Sequence, residues 1–182
     1  MTDRPSYLGL LNAIAVGEAR GERLLAAWAE RTADTDLAAT LRLVALRERE
    51  HAAAFAKRIV ELGFEVRERP DADFEARLAC AEREGTDLER FERLLGYGGA
   101  DDPAAGLARL FDDETIDAQT GALLGRFIAE ERDSGRRLRA HYDRLVAAVP
   151  GRVATGRVEA RLEALEGQIA RLREFLERRE CP

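Results

Sequence analysis

Apolar residues recur along this chain at spacings of three and four, the mark of amphipathic helices that turn one face toward a shared core. The clearest stripe is Leu37, Leu41, Val44, Phe55, Ile59 and Leu62, which predicts a helix over residues 34–62. An earlier stripe, Leu11, Ile14, Leu25 and Trp28, predicts a first helix over 6–31 with Ser6 or Asp3 as its N-cap. Thr32-Ala33-Asp34-Thr35 is a short connection carrying capping residues, so the second helix is expected to return antiparallel beside the first. Gly63 suits a helix C-terminus, and Pro70-Asp71 opens a less regular third helix along Phe74, Leu78 and Ala81. That pattern fails near Gly85, after which Thr86 and Glu89 stand at capping-box spacing, so a kink and a short helix to about Leu95 are expected. The Gly-rich stretch from Gly96 to Pro103 reads as a loop, followed by a short helix over 103–113. Asp117 is expected to cap a long fourth helix ending near Val149, with Thr120, Leu124, Phe127, Leu138 and Leu145 on its buried side.

Beyond Pro150-Gly151, Val158, Leu162, Leu165, Ile169, Leu172 and Leu176 repeat at alternating spacings of four and three, a heptad seam. Arg161 and Glu166 flank it with opposite charge, which suits a parallel partner. A seam of about three heptads is marginal alone, so residues 153–180 either pair with another copy of the chain or fold back on the bundle, and the seam favours a homo-oligomer. The expected architecture is therefore all-α: an up-down-up-down four-helix bundle over residues 1–149, interrupted in its third quarter, and a C-terminal coiled-coil helix over 150–182.

Composition agrees. Charged residues make up 35% of the 182, aromatic residues 6%, and five prolines interrupt the chain; this is the balance of a helical protein. Lys and Arg number 29 against 35 Asp and Glu, without a basic stripe, so nucleic acid is not an expected partner. No run approaches the roughly 18 uninterrupted apolar residues of a membrane span, and the N-terminal residues lack the layout of a secretory signal. Cys80 and Cys181 form neither a disulfide framework nor a thiolate cluster. A cytoplasmic protein without a membrane partner is the expectation.

The chemistry lies where polar residues fall on buried stripes. In the second helix Glu48 and His51 continue the line from Val44 to Phe55, which puts a carboxylate and an imidazole one turn apart on the apolar side. Glu18 interrupts the first stripe between Ile14 and Gly21, and two antiparallel helices of similar length bring it level with Glu48. In the fourth helix Glu131 and Ser134 sit between Phe127 and Leu138, whereas Glu130 and Asp133, flanked by Arg126 and Arg137, are expected to face solvent. The third helix offers Glu84, on the line of Ala81 and Leu88, or Glu82, four after Leu78; phase does not separate them. Buried carboxylates demand compensation, by a cation, a metal or a hydrogen-bonded network.

Glu18, followed thirty residues later by Glu48-Arg49-Glu50-His51, resembles the ligand pattern of the ferritin-like superfamily, and of its rubrerythrin-like branch most closely. The similarity covers about residues 6–149. It implies a carboxylate-bridged di-metal site, iron or manganese, held by Glu18, Glu48, His51, Glu131 and Glu84, with oxygen or peroxide as substrate. Under it Glu48 or Glu131 would bridge, His51 would be a terminal ligand, and Ser134 would hydrogen-bond a bound water. The second half departs from the family: Ser134 stands where the second histidine belongs, and His141, seven residues on, lies about 10 Å further along the helix, so two metals held asymmetrically, one metal or none are the open expectations. The cysteine pairs of full-length rubrerythrins are missing too. A non-catalytic helical scaffold with a degenerate site is the rival expectation.

Overall fold

The computed structural model describes residues 4–98 and 113–149, and within them the chain is helical and has no strand. The helices are α1 (Leu8–Ala29), α2 (Thr35–Glu61), α3 (Ala72–Glu82), α4 (Asp87–Leu95) and α5 (Ala118–Ala148). The chain divides into two compact units, Met1–Tyr142 and Asp143–Pro182; the packing described below belongs to the first. Residues 99–102 of the expected loop, nearly all of the expected helix over 103–113, and the whole heptad seam lie outside the described residues, and the expected homo-oligomer rests on that seam. No described helix is long and apolar enough to cross a membrane.

Local chemistry sets the boundaries. The carboxylate of Asp34 accepts from the backbone N–H groups of Asp36 and Leu37 and starts α2. At the other end the N–H of Phe64 reaches the carbonyl of Ile59 and that of Gly63 reaches Val60, a Schellman closure that needs the left-handed backbone of Gly63 (φ 86°). Asp71 caps α3 through Phe74 N–H. Thr86 and Glu89 cap each other at the start of α4, as their spacing predicts. Asp117 caps α5, accepting from the N–H groups of Gln119 and Thr120. The expectation for α1 needs correcting: its N-cap is Tyr7 and has no side-chain cap bond, because the Ser6 hydroxyl is drawn away to Asp113 Oδ2 at 2.5 Å and Thr115 Oγ1 at 2.9 Å. Asp3 lies outside the described residues.

The three long helices alternate in direction. Arg42 pairs with Glu30, His51 with Glu18, and Asn12 with the backbone of Arg67, so α2 runs antiparallel to α1. His141 meets Thr40, Asp133 meets Arg47, Phe127 meets Phe55 and Thr120 meets Arg58, so α5 is antiparallel to α2. The expected up-down-up-down order needs correcting: it would set the last long helix parallel to α2, whereas two short helices fill the third quarter and α5 runs the same way as α1. Leu11, Leu25 and Trp28 of α1, Leu37, Leu41, Val44, Phe55 and Ile59 of α2, and Leu124 of α5 are at most 1% exposed. Each such side chain contributes roughly 1.5–3 kcal/mol by leaving water. The stripes therefore meet as their spacing requires, and the polar residues interrupting them are carried inward.

The third quarter is built differently. Two short helices, α3 of 11 residues and α4 of 9, pack toward the C-terminal half of α1. Arg20 holds Asp71, Arg23 lies over the Phe74 ring, and Trp28 meets Phe91 edge-on at 4.8 Å. Buried Arg90 fastens the break by donating to the carbonyls of Arg83 and Gly85. Asp87 ties α4 to α1, accepting from Trp28 Nε1 at 2.7 Å and Thr32 Oγ1 at 2.6 Å. Replacing Asp87 by alanine leaves the indole N–H without its partner, so a loss of about 1–3 kcal/mol is expected in urea unfolding. Unchanged stability would show that the tie contributes nothing.

Candidate metal centre

α1, α2 and α5 each bring one or more polar side chains to a common point. His51, 3% exposed, stands at the centre with its ring edge-on to Phe127. Its Nδ1 lies 2.9 Å from Glu18 Oε2 and 3.7 Å from Glu131 Oε1, and its Nε2 lies 2.7 Å from Glu130 Oε2. Glu18, His51 and Glu131 present ligand-type atoms that all lie within 4.8 Å of one another. One of these atoms has no hydrogen-bond partner: Glu131 Oε1 is buried and meets His51 Nδ1 only at ion-pair distance. Buried polar atoms are nearly always satisfied, so an orphan oxygen beside two other ligand atoms marks a place for an electropositive group.

Glu48 lies outside that group of three ligand atoms, close enough to feel the charges of Glu18 and Glu131. A Cβ built on Gly21 would stand 1.6 Å from Glu48 Oε2 and 2.7 Å from its carboxyl carbon, so the Glu48 carboxyl occupies the space that only a glycine on α1 leaves open. Gly21 lies on the α1 stripe for this reason.

The electrostatics follow from burial. Desolvation, with Glu18, Glu131 and Glu22 nearby, pushes the Glu48 carboxyl up to about 9. Desolvation and the charge of Glu18 push Glu131 up to about 7, with His51 and Arg47 pulling the other way. Burial disfavours the His51 imidazolium, but its hydrogen bonds to Glu18 and Glu130 overcome that and raise its pKa. Glu130 is lowered: burial opposes its charge, and the bonds from His51 and Arg126 outweigh it.

Two expectations about α5 change here. Glu130 does meet Arg126, at 3.0 Å through Oε1, yet its other oxygen turns inward to His51. It is half-buried rather than solvated. Asp133 meets Arg137 at 2.6 Å as expected, and also receives Arg47 from α2 at 2.9 Å, which with Arg137 lowers it to about 2. Ser134 is 2% exposed, and its Oγ is engaged by Arg47 Nη1 at 3.1 Å. Arg47 escaped sequence reasoning; its only signal was its place on the flank of the buried stripe, beside Glu48 and four before His51.

The third-helix ligand is not brought to the site. Glu84 is exposed in the break after α3, Glu82 is exposed at its last residue, and no metal-capable group among the described residues includes either. Arg90 closes that break with backbone carbonyls, which ends the helix before a carboxylate can be aimed along it. His141, rather than joining the cluster, bonds Thr40 Oγ1 at 2.9 Å. Cys80 is a partly buried free thiol in α3.

No family model, curated protein or solved structure matches this chain.

Proposed function

We propose that this protein is a ferritin-like carboxylate metalloprotein that binds a divalent ion, iron or manganese, between Glu18, Glu48, His51 and Glu131. The observation that carries the reading is the buried oxygen of Glu131, which has no donor and faces the same imidazole nitrogen as Glu18. The donor set, carboxylate oxygens with one imidazole, is the chemistry that hard-to-borderline divalent ions take. Glu18 and Glu131 would bind from opposite helices, and His51 through Nδ1 after giving up that proton. Glu130 would keep accepting from Nε2–H, which fixes the ring's tautomer and orientation. Glu48, set in the Gly21 cradle, would add a third carboxylate once deprotonated. Iron or manganese held there would supply one-electron chemistry toward oxygen or peroxide. The chain's own contribution is to exclude bulk solvent with Phe127 and Phe55, and to hold exchangeable protons on Glu48 and Glu131 beside the ion's place.

The ferritin-like four-helix assignment belongs to the same proposal. Its support is the antiparallel order of α1, α2 and α5 and the level at which their polar residues meet. The C-terminal coiled coil and a homo-oligomer through residues 153–180 are proposed on the heptad seam alone.

Elemental analysis of untagged protein after anaerobic incubation with ferrous or manganous salt tests the reading. Bound metal that survives gel filtration and is lost in Glu131→Ala is the expected result. Folded protein that takes up neither ion would overturn it.

One observation favours a second reading, a non-catalytic helical scaffold. Both nitrogens of His51 already face carboxylate oxygens at hydrogen-bond distance, so a network of Glu18, His51 and Glu130 is satisfied without an ion. Under that reading a chelator leaves the thermal midpoint untouched and added metal does not raise it.

A further inference from the structure

We propose that Arg47 takes the place of a second metal ion, so that the site holds one divalent ion rather than a bridged pair. This rests on the metal reading above and adds a stoichiometry and a reason for it. In a paired site the second ion is bound by the residue three after Glu131, which here is Ser134. A cation is present there. Arg47 reaches across from α2, its Nη1 standing 3.1 Å from Ser134 Oγ and 2.9 Å from Asp133 Oδ2. Its side chain is 21% exposed, so the guanidinium lies largely within the α2–α5 interface. A guanidinium cannot lose its charge and cannot ligate a metal, and a second divalent ion beside it meets like-charge repulsion.

Charge balance agrees. Glu18, Glu48 and Glu131, all ionised, carry one negative charge each. A single divalent ion together with Arg47 neutralises all three, whereas a second divalent ion leaves a positive excess in a buried place. Asp133 does not cancel Arg47, because Arg136 and Arg137 also pair with it. Glu130 likewise is answered by Arg126, and from His51 it accepts only the neutral Nε2–H. The carboxylate expected from the third helix is turned away too: Glu82 and Glu84 are exposed. Every departure from the paired pattern thus falls on the side of the second ion, and Arg47 fills it.

The test is manganese binding to the full-length protein, read by calorimetric stoichiometry and by electron paramagnetic resonance at low temperature. About one ion per chain, with the spectrum of an isolated ion, is expected. Two ions with a magnetically coupled spectrum would overturn the inference and leave the metal reading standing, whereas no bound ion would overturn both. The role of Arg47 is tested by pairing Arg47→Gln with Ser134→His, which removes the cation and restores an imidazole. A rise toward about two ions per chain is expected, and a folded double variant that still binds about one would overturn the role assigned to Arg47. Ser134→Ala removes a single hydroxyl, and its result stands even if the double variant does not fold. It should keep the ion with affinity changed less than about threefold, because Ser134 faces Arg47 and not the ion. Loss of the ion in Ser134→Ala would overturn the placement of Arg47.

Discussion

Glu48→Gln is expected to stabilise the metal-free protein while abolishing its metal binding. The Glu48 carboxyl is pushed up to about 9 by burial and by Glu18, Glu131 and Glu22, against an ordinary value of 4.5. Between those two values the folded state keeps a proton that the unfolded state releases. The contribution of this one group is therefore full below about pH 4.5 and is lost progressively as pH rises toward 9. At about 1.4 kcal/mol per unit, this one group costs roughly 3 kcal/mol at pH 7. A glutamine keeps the shape of the protonated acid and cannot ionise, so the chelator-treated variant should match the wild type near pH 5 and exceed it increasingly up to pH 9. With manganese present the order should invert, because only the wild type gains binding free energy. Urea unfolding at several pH values, with and without metal, reads both arms. A metal-free variant less stable than wild type at pH 8 would mean that Glu48 is not held as a buried acid. Equal metal affinity would remove it from the ligand set.

Much of this arrangement was legible in the sequence because helical stripes have a strict period. Glu18, Glu48, His51 and Glu131 each occupy a position that the spacing of three and four reserves for an apolar residue, and the structure turns all four inward. The caps at Asp34, Thr86 and Asp117 were legible for a different reason: a short side-chain oxygen satisfies backbone N–H groups locally, whatever surrounds it. What phase cannot show is where a long side chain at the edge of a stripe will turn. Glu130 and Arg47 sit on such edges, and each swings its polar end inward over several rotatable bonds. Position alone assigned Glu130 to solvent. The third quarter failed for a tertiary reason. Its stripe continues past Ala81, but Arg90 binds the carbonyls of Arg83 and Gly85 and stops α3 there, leaving Glu84 outside. Ser6, a good capping residue by type, was lost to a partner more than a hundred positions away.

Gly21→Ala should separate the metal site from the helix that carries it. In the middle of α1 a glycine costs about 1 kcal/mol relative to alanine, so by propensity alone the substitution stabilises the protein. Its new methyl group, however, would lie 1.6 Å from Glu48 Oε2, an overlap that backbone adjustment cannot absorb. The Glu48 side chain has to rotate away, because its carboxyl is the movable partner. The variant should therefore fold at least as stably as the wild type without metal, yet bind manganese about 10–100-fold more weakly, the usual scale for disturbing a ligand's support. Gly17→Ala supplies the control: a Cβ there meets nothing within 4 Å, so it should gain the same helix propensity and leave affinity unchanged. Competition with a metal-sensitive chelator reads the affinity, and thermal melts of the chelated proteins read the fold. If Gly21→Ala binds manganese as tightly as Gly17→Ala, the carboxyl in the cradle is not a ligand, and the ion must be held by Glu18, His51 and Glu131 alone. If both glycine variants lose affinity together, the loss comes from α1 as a whole and the cradle has no special part in it.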